Sequence, residues 1–344
     1  MIEQGLFCTL TDGRPVHCFT ITNRHGEYVT LLDYGATIHQ VVVRDKAGRL
    51  GDVVLGADPA AFESSSYKGG TIGRCANRIA HGRCTIGGKE YQLEQNMRGH
   101  FLHGGSGNYA QKLFSGEVLP QENKVVFHWL DKGEGGFAGQ VQADFAFSFD
   151  DEGKLTLRLA MCCTTPTVLN PTNHAYFNLA SIGDVRDHWV WIGADRRAAR
   201  DEEGLPNGGA VSVLGTPADF TVRRTLRQAM GDGACGYFKN GKAMYDEFYV
   251  FDRREMRLAA ALGCPETGRL MKVYTDMPCL ILFCSGTRVP ERGKAGALYQ
   301  GYCAVCLETG FVPNAVNCTG YVPPIFGAGE ALVATTVYQF GLLP

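Results

Sequence analysis

Apolar and polar residues alternate along much of the chain, and this period of two predicts β-strands. In VQADFAFSFD every second residue from Val141 to Phe149 is apolar, and in KLTLRLAM every second residue from Leu155 to Met161 is apolar. The DDEG stretch between these runs ends in glycine, which is typical of a four-residue hairpin turn. The two runs are therefore predicted to form an antiparallel hairpin.

The same pattern predicts further strands along the rest of the chain. EYVTLLDYGATIHQVVVRDKAGRL predicts a strand, a turn and a strand, and single strands are predicted in KVVFHWL, MKVYTD, PCLILFC, CAVCLET and LVATTVYQF. The best helix candidate is ADFTVRRTLRQAM, with Asp219 as its N-cap. The regular return of strands and Gly, Asp or Asn turns predicts an all-β protein, a large antiparallel β-sandwich. No linker or repeat divides it, so we expect one domain over residues 1–344.

Composition excludes some classes of partner. The chain has 344 residues, a net charge of −2 and ordinary hydrophobic content, so charge gives no reason to expect a nucleic acid or a membrane. The start, MIEQGLFC, lacks a signal-peptide pattern, and no apolar run approaches the ~20 residues of a membrane helix. The 13 cysteines are irregularly spaced, which favours buried thiols in a reducing compartment. We therefore expect a cytoplasmic protein.

Polar residues in the loops between apolar strands are the first candidates for function. Asn77 and Arg78, in GRCANR, offer hydrogen-bond donors to an oxygen-rich ligand, although a salt bridge explains the arginine equally well. His103, in GHFLHGG, precedes two glycines that allow close backbone approach, and His100 competes with it. A structural role is the simpler interpretation of either histidine.

His174 is a third candidate. It lies in NPTNHAYFNL among Asn170, Asn173 and Asn178, whose amides are expected to fix the tautomer and orientation of its ring.

Two acidic positions interrupt apolar strands. Asp246 and Glu247 lie within MYDEFYVF, where an acid is either exposed at a sheet edge or directed at a ligand. Glu308 ends the strand CAVCL, and a carboxylate there is costly to bury unless it is paired or used. Burial would raise the pKa of Glu308, which suits a general base.

Motifs for other chemistries are absent. The sequence has no H-E-x-x-H, no G-x-S-x-G and no P-loop. A zinc site built from His103, His174 and Glu308 is the less favoured interpretation of these residues.

Taken together, these stretches resemble the aldose 1-epimerase (galactose mutarotase) family. Seven motifs occur in the family's order: LLDYGATIHQVVVRDKAGRLGDVVLG, GGTIGRCANRIAHGRCTIGGKEYQL, FLHGG, GEGGFAGQV, PTNHAYFNLA, LETGFVPNAVN and ATTVYQF. The resemblance implies a β-supersandwich that interconverts the α and β anomers of a free hexose such as galactose or glucose, with no metal and no cofactor. It also implies functional residues: Glu308 as catalytic base, His174 as catalytic acid, and His103, Asn77, Arg78 and Asp246 as residues that hold the sugar.

Three positions depart from the family's pattern. Gly310 stands where an E-x-Q motif has glutamine, Asn314 where aspartate is common, and Ile281 where a glutamine usually faces the sugar. The acid–base pair is unaffected, so these departures bear on sugar preference.

Two alternative functions remain open. A hexose 6-phosphate 1-epimerase would need a cationic phosphate clamp, for which 252–257 or 223–227 supply arginines. A sugar-binding module without turnover would keep Asn77, Arg78 and Asp246 but would not need Glu308 with His174. In each case the expected partner is a small sugar, and the chain is expected to be a monomer or a homodimer.

Overall fold

The computed structural model describes residues 1–63, 67–231, 237–239, 242–286 and 290–344. The first half of the chain forms β1 (Ile2–Thr9), β2 (Pro15–Thr22), β3 (Tyr28–Leu32), β4 (Thr37–Arg44), β5 (Leu50–Asp52), β6 (Thr71–Ile72), β7 (Arg78–Ile79), β8 (Arg83–Ile86), β9 (Lys89–Gln92), β10 (Phe101–Leu102), β11 (Ser115–Leu119), β12 (Lys124–Asp131), β13 (Val141–Phe149), β14 (Lys154–Cys163) and β15 (Thr167–Val168). The second half forms β16 (Thr172–Asn173), β17 (Trp189–Ile192), β18 (Arg196–Arg200), β19 (Pro206–Ser212), β20 (Arg224–Thr225), the helix α1 (Leu226–Gly231), β21 (Tyr237–Lys239), β22 (Lys242–Val250), β23 (Arg257–Gly263), β24 (Arg269–Thr275), β25 (Cys279–Ser285), β26 (Glu291–Arg292), β27 (Leu298–Tyr299), β28 (Cys306–Gly310), β29 (Ile325–Phe326) and β30 (Ala331–Leu342).

Three antiparallel sheets form the body of the protein. A nine-stranded sheet has the order β11-β12-β13-β14-β30-β24-β23-β17-β20, a six-stranded sheet has β19-β18-β22-β25-β28 with β21 paired to β22, and a five-stranded sheet runs from β1 to β5 in chain order. The predicted hairpin is confirmed as β13–β14, in which Phe149 lies opposite Leu155. The alternating apolar residues of both strands are buried.

One hydrophobic core joins the three sheets. It contains Phe145 and Leu157 from the nine-stranded sheet, Ile38 from the five-stranded sheet, and Tyr249 and Leu282 from the six-stranded sheet. Because each sheet turns its apolar face to this core, the predicted antiparallel β-sandwich is confirmed.

The predicted helix is shorter than expected, and its N-cap was wrong. The chain is extended in β20 and becomes helical only at Leu226. Asp219 accepts hydrogen bonds from the backbone N–H groups of Thr221 (3.1 Å) and Gly215 (3.0 Å), so it closes a turn. The helix begins instead with a capping box, in which Thr225 Oγ1 accepts from the Gln228 N–H and Gln228 Oε1 accepts from the Thr225 N–H. Pairing of β20 with β17 therefore overrides the helical pattern before Thr225.

Two further observations concern membrane-spanning helices and the cysteines. Within the described ranges, no helix has the length and apolar character needed to cross a bilayer. The cysteines of those ranges are free thiols, and eight of the twelve are buried.

Candidate active site

One face of the six-stranded sheet carries two carboxyl groups. Asp246 of β22 lies opposite Phe283 of β25, and Glu308 of β28 lies opposite Ile281 of β25. Because Ile281 and Phe283 are two residues apart, all four side chains project from the same face. β22 has neighbours on both sides, so Asp246 is not at a sheet edge.

Glu308 is a buried carboxyl group with 3% of its surface exposed. Burial, followed by repulsion from Asp246, raises its pKa from 4.5 to about 8. Among the described residues no group donates a hydrogen bond to its Oε2 atom. The carboxylate form is therefore poorly stabilised and has a strong tendency to take up a proton.

His174 follows β16 and faces this carboxyl group. Its N–H donates to the Gly70 carbonyl, and its own carbonyl accepts from the Gly69 N–H, both at 2.9 Å. These bonds fix the backbone on both sides of the residue. The Nε2 atom lies 3.6 Å from Glu308 Oε1, too far for a good hydrogen bond but close enough for both groups to reach one ligand.

The asparagines near His174 hold the loop. Asn170 donates from Nδ2 to the Phe311 carbonyl (3.2 Å), and Asn173 donates to the Gly69 carbonyl (2.7 Å). Asn178 donates to the carbonyls of Gly183 and Cys303. Contrary to the sequence-based expectation, these amides are directed to the main chain.

Aromatic rings surround the imidazole of His174. The Tyr176 ring is stacked on it, with 4.9 Å between centroids and 11° between planes. The Tyr67 ring lies at 6.3 Å and 16°, and Phe283 presents an edge at 6.3 Å. Neither Tyr67 nor Tyr176 was predicted from the sequence. Tyr176 could have been predicted, because it is two residues from His174 and such residues share a face in an extended segment. No feature of the sequence predicted that Tyr67 lies near His174.

His103 is held as a neutral hydrogen-bond donor. The ring atom Nδ1 of His103 accepts a hydrogen bond from the backbone N–H of Asn77 (3.2 Å), and the backbone N–H of His103 donates to the Asn77 carbonyl (3.1 Å). Nδ1 is thus an acceptor, so the ring proton of neutral His103 lies on Nε2. Burial, then the proximity of His174 and Arg78, lowers the pKa of His103 well below its usual range.

His103 belongs to the site, and its competitor His100 lies elsewhere. The rings of His103 and His174 are 5.7 Å apart. His100 accepts from the His81 N–H through Nδ1, and its Nε2 lies 3.6 Å from the exposed Glu203. His100 therefore has structural neighbours only, as far as the described residues show.

Two arginines offset the negative charge of Asp246. Burial raises the pKa of Asp246, and the positive charges of Arg200 and Arg78 oppose this rise. Arg200 is stacked 4.4 Å over the Phe248 ring and donates to Glu247 at 2.6 Å. Arg200 was not predicted from the sequence, because its position on β18 becomes close to Asp246 only through sheet pairing.

All six residues predicted from the sequence therefore lie in one cluster. Arg78, His103 and Asp246 are partly exposed, whereas Asn77, Glu308 and His174 are buried. The cluster combines a buried carboxyl group and a buried imidazole with partly exposed polar side chains, as expected for a small polar ligand.

The three departures from the family pattern have different surroundings. Ile281 is buried beside Glu308 and contributes an apolar wall. A Cβ atom at Gly310 would lie 2.9 Å from Asn170 Oδ1, so glycine leaves room for that amide. Asn314 donates from Nδ2 to the Pro206 carbonyl (3.1 Å) and accepts from the Ala80 N–H (3.0 Å), a combination that aspartate cannot make.

Three arginines of the two candidate phosphate clamps contact residues outside this cluster. In 223–227, Arg227 pairs with Asp187 at 2.7 Å and Arg223 is stacked over Trp189. In 252–257, Arg257 lies 3.3 Å from Glu255.

The zinc alternative finds no support in the described part of the chain. No group of three or more His, Cys, Asp or Glu residues has an arrangement suited to a metal ion there.

Comparisons with known proteins agree with the geometry. The family model described as Aldose 1-epimerase matches residues 17–339. The galactose mutarotase of Mus musculus is 34% identical over 324 residues, 91% of each chain, and the aldose 1-epimerase of Escherichia coli (strain K12) is 30% identical over 343 residues, 96% of each. The solved GalM/aldose epimerase homologue from C. elegans superposes with a TM-score of 0.87 at 26% identity, covering 99% of this chain and 100% of the other. A galactose 1-epimerase structure from Lactobacillus acidophilus NCFM shares the fold, with a TM-score of 0.84 at 23% identity and coverage of 100% and 99%.

Proposed function

The chain belongs to the aldose 1-epimerase family and is an isomerase that interconverts the α and β anomers of free hexoses, and we propose that Glu308 and His174 carry out its proton transfers. The observation that carries this assignment is the buried Glu308 carboxyl group, with its pKa raised to about 8, 3.6 Å from His174 Nε2. Such a pair supplies a base and an acid within reach of one carbon atom.

The reaction requires only proton movement. Glu308 accepts the proton of the anomeric hydroxyl while His174 donates a proton to the ring oxygen, and the bond between C1 and the ring oxygen breaks. The open-chain aldehyde rotates about C1–C2, and the reverse transfers close the ring on the other face. The sugar loses one proton to Glu308 and gains one from His174, and it is neither oxidised nor reduced. Each positioned group typically contributes about 10² to 10⁴ in rate.

The polar rim is suited to hold the sugar hydroxyls. Arg78 supplies guanidinium donors, His103 supplies a donor from Nε2, and Asp246 supplies acceptors. Asn77 holds the backbone of this rim, since its side-chain Oδ1 accepts a hydrogen bond from the backbone N–H of Arg78 at 2.8 Å. We assign these four residues to substrate binding.

The alternatives have less support. A hexose 6-phosphate epimerase would need a free cationic clamp, and three of the candidate arginines, Arg223, Arg227 and Arg257, pair or stack with other residues. A binding module has no need of a buried carboxyl group that faces a histidine.

We further propose a single domain over residues 1–344 that acts in the cytoplasm without a metal or cofactor, as a monomer or homodimer. Polarimetry on freshly dissolved α-galactose and α-glucose tests the activity directly: enzyme-dependent acceleration supports it, and an unchanged spontaneous rate refutes it.

The pH profile should reveal the raised pKa of Glu308. We expect a bell-shaped dependence of kcat/KM with two limbs that belong to the coupled pair, one of them near pH 8. D246N removes the charge that contributes to this rise, so it should move that limb to lower pH. Limbs that both lie far below neutrality, or a limb near 8 that D246N does not move, would contradict the assignment.

Sugar preference should be modest, because Ile281 places an apolar wall beside Glu308 and supplies no hydroxyl partner. We expect kcat/KM for galactose and glucose to differ by no more than about tenfold, or roughly 1.4 kcal/mol. I281Q should widen the difference, and I281L, which stays apolar at similar volume, should not. A wild-type preference above a thousandfold would show that other residues read the sugar's stereochemistry.

A further inference from the structure

Tyr176 is fixed against the imidazole of His174. The two rings are nearly parallel, at 11°, with centroids 4.9 Å apart. Tyr176 is only 8% exposed, its carbonyl accepts from the Leu55 N–H at 2.8 Å, and the Phe283 ring meets it edge-on at 6.4 Å and 89°. A ring held from the backbone and from its edge gives a defined plane on which the imidazole is stacked.

The protonated form of His174 needs stabilisation, because burial disfavours a charged imidazole. Among the described residues, Glu308 lies 3.6 Å from His174 Nε2 and the His103 ring lies 5.7 Å from the imidazole, while Arg78 acts on His103 and Asp246 acts on Glu308. Burial raises the pKa of Glu308 to about 8, which reduces its negative charge near neutral pH, and burial favours the neutral form of His103. The positive charge of Arg78 disfavours a positive charge on His174. Among these four described groups, Asp246 supplies the attractive charge.

Aromatic faces are negatively polarised and attract cations, more strongly when water is excluded. A parallel arrangement at 4.9 Å places the imidazolium over such a face. The Tyr67 ring, at 6.3 Å and 16°, adds a weaker contribution of the same kind.

Resting on the proposed role of His174 as the acid, we infer that Tyr176 is a positioning residue that fixes the imidazole plane and stabilises the imidazolium form through its ring face. The phenol oxygen has no part in this effect. A purely structural tyrosine would influence the amount of folded enzyme and would leave the titration of His174 unchanged.

The test compares Y176L, which removes the ring, with Y176F, which keeps it. Proton titration of His174 is followed by NMR on histidine-labelled enzyme, with H174N identifying the resonance. Y176L should lower the titration midpoint by roughly 0.5 to 1.5 pH units, whereas Y176F should stay within ~0.2 units of wild type. Y176L should also move the limb of the pH profile that does not lie near pH 8, and lower kcat about 3- to 30-fold with KM within a few-fold.

Each outcome decides the inference. An unchanged midpoint in Y176L, or an equal shift in Y176F, overturns it. If Y176L does not fold, the partly exposed Tyr67 offers the same comparison with Y67L and Y67F, where a smaller shift in Y67L alone supports the aromatic effect and equal midpoints refute it. If wild-type enzyme fails to accelerate anomer exchange, the proposed function fails, but the NMR titration still tests the stacking effect on its own.

Discussion

Replacing Glu308 with glutamine should lower kcat at least about 10²-fold and leave KM within a few-fold of wild type. Glutamine keeps the size and most of the hydrogen bonding of glutamate but cannot accept the proton of the anomeric hydroxyl. The lost interaction belongs to the transition state, which is why kcat falls and KM does not rise in proportion. Polarimetric initial rates with α-galactose, corrected for spontaneous mutarotation, measure both constants.

His174→Asn should have an effect of similar size, because asparagine keeps a donor but is no useful acid. Since both groups serve one proton exchange, the double variant E308Q/H174N should be little slower than the poorer single variant. H103N should affect KM more than kcat if His103 mainly holds the sugar. H100N is the matched control, since His100 contacts His81 and Glu203 outside the site, and its rate should stay near wild type.

Several results would contradict this assignment. Near wild-type turnover by E308Q would remove Glu308 as the base and favour the sugar-binding module. Fully multiplicative losses in E308Q/H174N would indicate that the two groups act in separate steps.

The same substitution should make the protein more stable at alkaline pH. The pKa of Glu308 rises from 4.5 to about 8 on folding, so between these values the folded state binds more protons than the unfolded chain. Wild-type stability should therefore decrease as pH rises through this window and level off above pH 8. E308Q has no such proton, and its free energy of unfolding relative to wild type should increase by about 3 to 5 kcal/mol between pH 5 and pH 9.

Denaturant unfolding of both proteins at pH 5, 7 and 9 measures this difference. E247Q is the contrasting variant: Glu247 lies one residue from Asp246 but pairs with Arg200 at 2.6 Å and Arg197 at 3.5 Å. Burial raises the pKa of Glu247 as well, but the charges of Arg200 and Arg197 oppose this rise. Removing the Glu247 charge leaves the buried Arg200 guanidinium poorly compensated, so E247Q should lower stability. A pH-independent difference between E308Q and wild type would show that Glu308 is ionised in the folded protein at all these pH values. A stabilised, inactive E308Q would show that the protein retains a destabilising carboxylate for catalysis.

Local pattern was sufficient where a strand's partner is its neighbour in sequence. The β13–β14 hairpin followed from alternation and a four-residue turn, because both signals are contained in the segment itself. The helical prediction before Leu226 was wrong for the opposite reason: Arg224 and Thr225 pair with the distant β17, and this pairing outweighs their local helical preference.

The sequence by itself determined the fold class, the family resemblance and the six candidate site residues, because these depend on residue types and their order. Only the tertiary structure decided which groups meet. Pairing of β22, β25 and β28 places Asp246 and Glu308 on one face, and their proximity with burial raises the pKa of Glu308 to about 8. The stacking of Tyr176 and Tyr67 around His174 and the approach of Arg200 to Asp246 also appear only there. Burial, charge proximity and ring stacking depend on distances between segments far apart in the chain, and no local pattern encodes those distances.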